Sequence, residues 1–427
     1  MRVRVLLAAL GAATFLEPCA SAATLVVDSD GSATMSSCES NTSAPYTTIG
    51  AAINAAKAGD KVIVCPGNGP YNEQLVITKR LSITGKANAT VKPSAMEQNA
   101  NSIDGNDPIA AAILVKGATG VTIERLTVDG IDNEIQGCAP KLIGIYYQNA
   151  SGAVKNVVVK NMKLGQDHAS CQSGVGVFAE SGGDGTSSLL VQDSNVYDYQ
   201  KNGITGNESG TFLIAENNRV TGLGPTPDIA QNGIQLGFGA TGKIGHNIVT
   251  DHIYAPCKDP ADCDNLSANI LIYQGGGRIE VKENTTVNAQ TGIFFYADEG
   301  SVLANEVVKT KVYDGLVIWG NKIIAKENKV TGSDEAGINV EGTGNWLLRN
   351  GIADAPIGIW SFGYGGPNLC SPNGWWDYNC SSNTFVNVGT PVVSGSIPPS
   401  ASSAVGVAAA PTVSSRSLIE QLEPFRP

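Results

Sequence analysis

Between Asn202 and Phe362 the chain repeats one short phrase, in which a small or polar residue is followed by Gly and then by Ile or Leu. The glycines recur roughly every 20 to 30 residues, a period typical of repeat architectures. The phrase extends backwards to Gly144-Ile145 and Gly174-Val175, and Asn269-Ile270 fills the one gap. Its other copies are Asn202-Gly203-Ile204, Asn232-Gly233-Ile234, Thr291-Gly292-Ile293, Asp314-Gly315-Leu316, Ala336-Gly337-Ile338 and Ile357-Gly358-Ile359.

A second phrase, centred on Asn, runs in parallel with the first. Two phrases per repeat predict two short strands per repeat, and nothing inside a repeat has the length and pattern of a helix. We therefore expect a coil of parallel strands, with Ile204, Ile234, Ile293, Ile338 and Ile359 in one inward column. The nine rungs from Gly144 to Gly358 would rise about 38 Å. Asn side chains at the turns are expected to stack from rung to rung. The Asn copies are Asn217-Asn218, Asn247, Asn284, Asn305, Asn328 and Asn350.

These repeats resemble the right-handed parallel β-helix of the pectin-lyase-like superfamily. The region from about 110 to 390 is similar to the generic β-helix repeats of periplasmic copper-site accessory proteins and mannuronan epimerases. The resemblance implies an all-β, single-stranded right-handed parallel β-helix, or solenoid, with a short N-terminal capping helix. It does not imply an activity, because the repeated phrases encode rungs and turns.

The chain divides into four parts. Residues 1–22 are predicted to be a signal peptide, 23–110 the cap and first rungs, 111–393 the β-helix, and 394–427 a tail rich in Ser, Pro and Ala. Within the cap, Thr48 to Asp60 predicts a short helix with Ile49, Ala52 and Ile53 on one face, because the first rung of a solenoid has no neighbour to cover it.

The N-terminus has the pattern of a secretory signal. Arg2 and Arg4 precede an apolar run from Val5 to Phe15, and Ala20-Ser21-Ala22 follows as a small-x-small cleavage site. The apolar run is too short to span a membrane. A lipoprotein anchored at Cys19 is the alternative, but Glu17-Pro18 is unlike the residues that precede such a cysteine. The protein is therefore expected to be secreted, either extracellular or periplasmic.

Cleavage after Ala22 would remove Cys19 and leave eight of the nine cysteines, an even number that suits an oxidising compartment. Pairing by proximity in sequence predicts four disulfides, although other pairings and free buried thiols stay open. No Cys-x-x-Cys pair occurs and there are three histidines, so no zinc site is predicted. The predicted pairs are Cys38–Cys65, Cys138–Cys171, Cys257–Cys263 and Cys370–Cys380.

A net charge of −11 limits the possible partners. An acidic surface disfavours nucleic acid and anionic membranes. It also disfavours acidic glycans unless calcium bridges carboxylates on both sides. We therefore expect a monomer that binds a polysaccharide, with no cofactor apart from calcium if the substrate is acidic.

Strand alternation predicts an aromatic stripe outside the coil. Counted from each repeat glycine, the side chains at +1 and +3 are apolar and point inward, whereas those at +2 and +4 point outward. Rings on successive rungs could hold a glycan chain, and the alternative is that a loop or the tail covers them. The candidate substrate-binding residues are Tyr273, Tyr296, Trp319, Trp360 and Phe362.

Carboxylates flank this stripe, and paired carboxylates are the acid and base of glycoside hydrolysis. The candidate catalytic residues are Asp298, Glu341 and Glu180, with Asp314 at a turn. Asp298 and Glu341 are two rungs apart, so their carboxyl groups are expected on the order of 7–12 Å apart, which suits an inverting mechanism. The alternative is that these are ordinary solvated surface acids.

No catalytic phrase of a known β-helix enzyme is intact. Tyr71-Asn72-Glu73 resembles part of a pectin methylesterase phrase, but the other esterase phrases are absent. Asp167-His168 is a partial match to the Asp-Pro-His-Asp phrase of mannuronan epimerases, and the Gly-His-Gly phrase of polygalacturonases is missing. Two functions stay open: a secreted polysaccharide hydrolase or lyase, and a β-helix that binds glycan or another surface without catalysis.

Overall fold

The computed structural model describes residues 22–31, 38, 44–255, 266–362 and 382–394. These residues form one short helix, one 3-10 turn and many short strands. The helix α1 spans Ile49–Ala55 and the 3-10 turn spans Gln166–His168. The strands are β1 Thr24–Val27, β2 Lys61–Val64, β3 Leu75–Ile77, β4 Ser82–Gly85, β5 Thr90–Val91, β6 Ala100–Asn101, β7 Pro108–Lys116, β8 Val121–Glu124, β9 Thr127–Asp129, β10 Lys141–Gln148, β11 Ser151–Lys155, β12 Val158–Met162, β13 Val175–Glu180, β14 Ser187–Gln192, β15 Asn195–Tyr199, β16 Asn202–Asn207, β17 Thr211–Glu216, β18 Arg219–Thr226, β19 Asn232–Gly237, β20 Thr241–Gly245, β21 Ile248–Tyr254, β22 Ala268–Tyr273, β23 Glu280–Lys282, β24 Thr285–Ala289, β25 Thr291–Tyr296, β26 Ser301–Leu303, β27 Glu306–Thr310, β28 Leu316–Trp319, β29 Ile324–Lys326, β30 Lys329–Ser333, β31 Ala336–Glu341, β32 Trp346–Leu348, β33 Gly351–Phe362 and β34 Thr384–Ser394.

The strands stack into a parallel β-helix with three strands per rung. One face is a 12-stranded parallel sheet, and two further faces belong to a sheet of 22 strands. The rung made of β16, β17 and β18 shows why the expectation of two strands per repeat was wrong. The Asn phrase marks a tight turn with a strand on each side of it, so each repeat contains a third strand that the two phrases do not reveal.

The predicted inward column is confirmed. Parallel pairing aligns Ile204 with Ile234, and the column continues through Ile270, Ile293, Leu316, Ile338 and Ile359. None of these seven side chains is exposed to solvent. Stacking between rungs therefore supplies the apolar core that a single rung could not form alone.

The repeat glycines are needed because the next rung passes too close for a side chain. A Cβ at Gly292 would lie 2.6 Å from the carbonyl oxygen of Gly315 and 2.4 Å from Val307. One expected copy was misplaced: Val177, not Val175, pairs with Ile204, so Gly176 is the repeat glycine. Gly174 instead lies at the preceding turn with φ +84, a conformation that also favours glycine.

The Asn side chains form the predicted ladder. The amide of Asn305 donates to Asn328 Oδ1 at 3.0 Å and to the carbonyl of Val281 at 3.0 Å, while its own Oδ1 accepts from Asn284. The same pattern recurs on successive rungs, so each buried amide is satisfied by the next. The residue before each Asn from Asn218 to Asn350 adopts the left-handed conformation that makes the turn tight. The ladder runs through Asn218, Asn247, Asn284, Asn305, Asn328, Asn350 and Asn383.

Helix α1 covers the start of the coil with buried Ile49, Ala52 and Ile53, as predicted. The Glu73 carboxylate accepts hydrogen bonds from the backbone amides of Ile49 at 2.7 Å and Gly50 at 2.8 Å. A carboxylate at this position satisfies otherwise unpaired amides and complements the helix dipole. Glu73, in the Tyr71-Asn72-Glu73 sequence that resembles a pectin methylesterase phrase, therefore has a structural role in this chain.

Two of the four predicted disulfides lie within the described residues, and both are present. They join Cys38 to Cys65 and Cys138 to Cys171. The other two predicted pairs lie outside the described residues, as do the predicted signal peptide up to residue 21 and the tail from residue 395. Among the described residues, no helix has the length and apolar character needed to cross a membrane.

Candidate functional site

The aromatic stripe lies on one face of the coil, which we call the site face. Counted from each repeat glycine, the side chains at −1, +2 and +4 lie outside the main core, where they form clusters of their own. The face is built from β7, β10, β13, β16, β19, β22, β25, β28, β31 and the second half of β33.

The N-terminal third of the site face is covered, so the expected exposure was wrong there. Tyr146 and Phe178 stack with ring centroids 5.2 Å apart and are at most 1% exposed. The segment around β6 lies over them and contributes Ala100 to the same apolar cluster. The alternative left open by the sequence, that a loop covers the rings, therefore holds in this third of the site face.

Glu180 fastens this covering segment and is itself fully buried. Its carboxylate accepts from the backbone amides of Ile103 at 3.0 Å and Asp104 at 3.3 Å, and from the Tyr146 hydroxyl. Burial raises the pKa of Glu180 to about 7. The expectation that Glu180 is an exposed acid flanking the stripe is therefore corrected: in this position it binds the protein's own backbone.

The middle of the site face consists of buried amides. Asn202 donates to Gln235 Oε1 at 3.0 Å, and Gln235 donates to Asn207 Oδ1 at 3.1 Å. Thr205 and Asn207 are each 1% exposed. These contacts form a polar network between two apolar clusters, and little of it reaches the surface.

Aromatic side chains dominate the C-terminal third. Tyr273, Tyr296 and Trp319 follow one another at position +4, with centroids 5.7 Å and 6.1 Å apart. Tyr273 is 2% exposed and packs on Phe238, so its expected exposure was also wrong. Tyr296 and Trp319 are partly exposed, and the Trp319 ring also contacts Phe294 at 5.1 Å.

The partly exposed end of this face is the candidate site, which we call the C-terminal patch. Register places Trp319 beside Glu341, and Asn339 beside Trp360. Tyr296 lies one rung before Trp319. Phe362 follows Glu341 in the same column, but its side chain lies outside the described part of the structure. The patch consists of Tyr296, Trp319, Asn339, Glu341 and Trp360, all partly exposed.

Asp298 lies at a turn beside the patch, where its carboxylate is occupied. Its Oδ1 accepts from the backbone amide of Asn321 at 2.7 Å and from the side-chain amide of Asn321 at 3.1 Å. Asn321 in turn accepts from Thr343 at 3.0 Å. Asp298 is exposed, but these contacts indicate a carboxylate that joins consecutive turns.

Asp314 and Glu335 are two further carboxyl groups, on neighbouring rungs next to the patch. Asp314 is 4% exposed, accepting from the amide of Ala336 at 2.8 Å and from Asn339 Nδ2 at 2.8 Å. Burial raises the pKa of Asp314, and burial together with the Asp314 charge raises that of Glu335 to about 8. Sequence analysis noted Asp314 but missed Glu335.

The chain matches the family model described as "Right handed beta helix region" over residues 176–353. The chain is a right-handed parallel β-helix. Among solved structures, this β-helix is similar to a GH136 lacto-N-biosidase from Eubacterium ramulus, with a TM-score of 0.51 and 11% identity over 88% of this chain and 68% of that one. It is also similar to a periplasmic alginate epimerase, with a TM-score of 0.51 and 13% identity over 79% of this chain and 74% of that one. No curated protein matches in sequence.

At such identities the structural likeness establishes the β-helix fold alone.

The histidine candidates do not extend the site. His252 is fully buried inside the β-helix, with Nδ1 2.6 Å from Asn269 Oδ1 and Nε2 bonded to the Tyr199 hydroxyl. His252 therefore pairs with Asn269, which occupies the position of the repeat glycine in the rung that contains β22. Asp167 and His168 lie in the 3-10 turn between β12 and β13 and belong to none of the strands of the site face.

Proposed function

We propose that this chain is a secreted β-helix protein that binds a neutral polysaccharide along the C-terminal patch. The observation that carries the proposal is a row of partly exposed side chains on four successive rungs. Tyr296, Trp319 and Trp360 supply rings on three of these rungs, and Asn339 and Glu341 lie on the remaining one. Aromatic faces with a few polar groups suit sugar rings, which have apolar faces and hydroxyl edges. From Tyr296 to Trp360 the patch extends over roughly 14 Å along the coil axis.

The charge of the patch supports a neutral ligand. In the three outward columns from Thr291 to Trp360, none of the described side chains is basic, whereas Asp314 and Glu341 are acidic. A uronate-containing chain would bring further negative charge to this surface. We therefore expect binding without calcium, by a single copy of the chain, with calcium needed only if an acidic glycan binds.

Cleavage of the bound glycan is the further part of this proposal, and binding without catalysis is the alternative. The names of the two structurally similar enzymes refer to carbohydrate substrates, which supports a carbohydrate ligand here. Hydrolysis is favoured over elimination, because the outward columns supply carboxyl groups and none of their described side chains is a basic residue to abstract a carbon-bound proton. Secretion is supported by the N-terminal pattern and the two disulfides.

A glycan panel tests the binding proposal. Native affinity electrophoresis should show retardation by at least one neutral polysaccharide, among xyloglucan, mannan, arabinoxylan and mixed-linkage glucan, with or without EDTA. Alginate and polygalacturonate should not retard the protein in EDTA. Retardation by the acidic glycans alone, or by no glycan in the panel, would contradict the proposal.

A further inference from the structure

Glu335 lies directly beside a buried carboxylate. The backbone amide of Ala336 lies 2.8 Å from Asp314 Oδ1, and Glu335 is the residue before Ala336. Glu335 is only partly exposed. Two carboxyl groups are thus placed together at the entrance of strands β28 and β31, where the C-terminal patch begins.

The Glu335 carboxyl differs from the other carboxylates discussed above. Glu180 fastens a backbone segment, Glu73 caps a helix and Asp298 joins two turns. Within residues 266–362 and the other described ranges, no hydrogen bond or ion pair is formed by the Glu335 carboxyl. A partly exposed carboxyl without a partner contributes little to the fold and is accessible to a ligand, which makes it a candidate functional acid.

Two further polar atoms near the pair lack partners. Thr291 precedes Asp314 by one rung at the same position, is fully buried, and has an Oγ1 without a hydrogen-bond partner among the described residues. Asn339 donates to Asp314 through Nδ2, but its buried Oδ1 also has none there. Buried water would satisfy such atoms.

The surroundings keep Glu335 protonated near neutral pH. On the preceding rung, Tyr313 occupies the same position as Glu335 and Asp314 lies beside it, while Asp334 and Lys311 form an exposed ion pair at 3.8 Å. On the following rung, Pro356 and Ile357 carry no charge, and the Ile357 amide donates to the Glu335 carbonyl. Because Asp314 is the buried neighbouring charge, its removal should lower the pKa of Glu335.

We propose that Glu335 is the proton donor that cleaves a glycosidic bond of a neutral glycan held on the C-terminal patch, and that Asp314 is its positioning residue. This inference rests on the proposed binding function. Glu335 transfers its proton to the glycosidic oxygen as the bond from that oxygen to the anomeric carbon breaks, and the electron pair leaves on the oxygen as an alcohol. Water then adds to the anomeric carbon, and the Glu335 carboxylate takes back the proton that water loses. One water is consumed, and the Asp314 charge favours the positive charge that develops on the sugar.

The test uses the neutral glycan that retards the wild-type protein most strongly in the panel. The wild type should release reducing ends from it, and Glu335→Gln should still bind it with turnover reduced at least about 100-fold. Asp314→Asn should lower kcat more than it changes KM and should move the alkaline limb of the pH profile to lower pH. Glu299→Gln, which removes an exposed carboxylate paired with Lys322, is the matched control and should retain wild-type turnover.

The outcomes separate this inference from the binding proposal. If no neutral glycan binds, the proposed function fails and this inference fails with it. If a neutral glycan binds but the wild type releases no reducing ends between about pH 5 and 9, binding stands and the proton-donor role is overturned. A Glu335→Gln protein that melts at a lower temperature than the wild type would also overturn it, because Glu335 would then be a structural residue.

Discussion

Replacing Asn305 with Leu is expected to lower the free energy of unfolding by about 4 kcal/mol. Asn305 is 1% exposed and lies in the middle of the ladder. Its loss would leave the Asn284 backbone amide without its acceptor at 3.0 Å and the Val281 carbonyl without its donor at 3.0 Å. Leu has a similar volume, so the effect would come from the buried polar groups rather than from a cavity.

Denaturant unfolding followed by circular dichroism would measure this loss. Asn54→Leu is the control, because Asn54 is an exposed residue of helix α1 whose side-chain amide bonds to none of the described residues. The control should change stability by less than about 0.5 kcal/mol. Equal destabilisation by both substitutions would show that the ladder does not stabilise the coil beyond its local turns.

Acid is expected to remove about 3 kcal/mol of stability through His252. Burial lowers the pKa of His252 from 6.5 to about 4. Because the unfolded chain would bind the extra proton between these values, the contribution of His252 is complete above about pH 6.5 and is lost as the pH falls towards 4. The neutral ring fits the contacts with Tyr199 and Asn269 inside the coil.

Comparison with His252→Gln isolates this effect. Buried carboxyl groups with raised pKa values, such as Glu180, shift stability in the opposite direction, but they are common to both proteins. The difference in unfolding free energy between wild type and variant should therefore narrow by about 3 kcal/mol on going from neutral pH towards pH 4. Parallel stability curves would contradict the assignment of a neutral, buried His252.

Much of the fold could be predicted because its determinants repeat. Gly292 and its equivalents recur with a period set by the close approach of the next rung, and Asn305 and its equivalents recur at the ladder. The third strand of each rung could not be found this way, because it has no phrase of its own. Gly174 was misplaced because two glycines lie close together and only pairing with the next rung distinguishes Gly176.

The site was less predictable, because exposure depends on segments distant in sequence. Alternation places Tyr146 and Trp319 at outward positions, but only the structure shows that the β6 segment covers the first. Glu180 has the same strand phase as Glu341 and is nevertheless buried by its bonds to Ile103 and Asp104. Glu335 could have been found by aligning the repeat glycines, which places it next to Asp314 on neighbouring rungs.

The packing of the Trp319 ring against its neighbours changes the stability expected of the Trp319→Ala protein. Its contacts with Phe294 and Tyr296 mean that Trp319→Ala should lower the melting temperature somewhat, whereas a fully exposed ring would have left it unchanged. The affinity of this variant is therefore interpretable only once circular dichroism shows that it is folded at the temperature of the binding experiment.

Calorimetric titration of the folded Trp319→Ala protein with the neutral glycan identified in the panel tests the C-terminal patch most directly. We predict that affinity falls at least about tenfold, because a central ring of the binding surface is removed. Phe212→Ala is the matched control, since Phe212 is a ring 37% exposed on the 12-stranded sheet, and it should bind as the wild type does. Unchanged affinity in folded Trp319→Ala, or an equal loss in Phe212→Ala, would contradict binding at the patch.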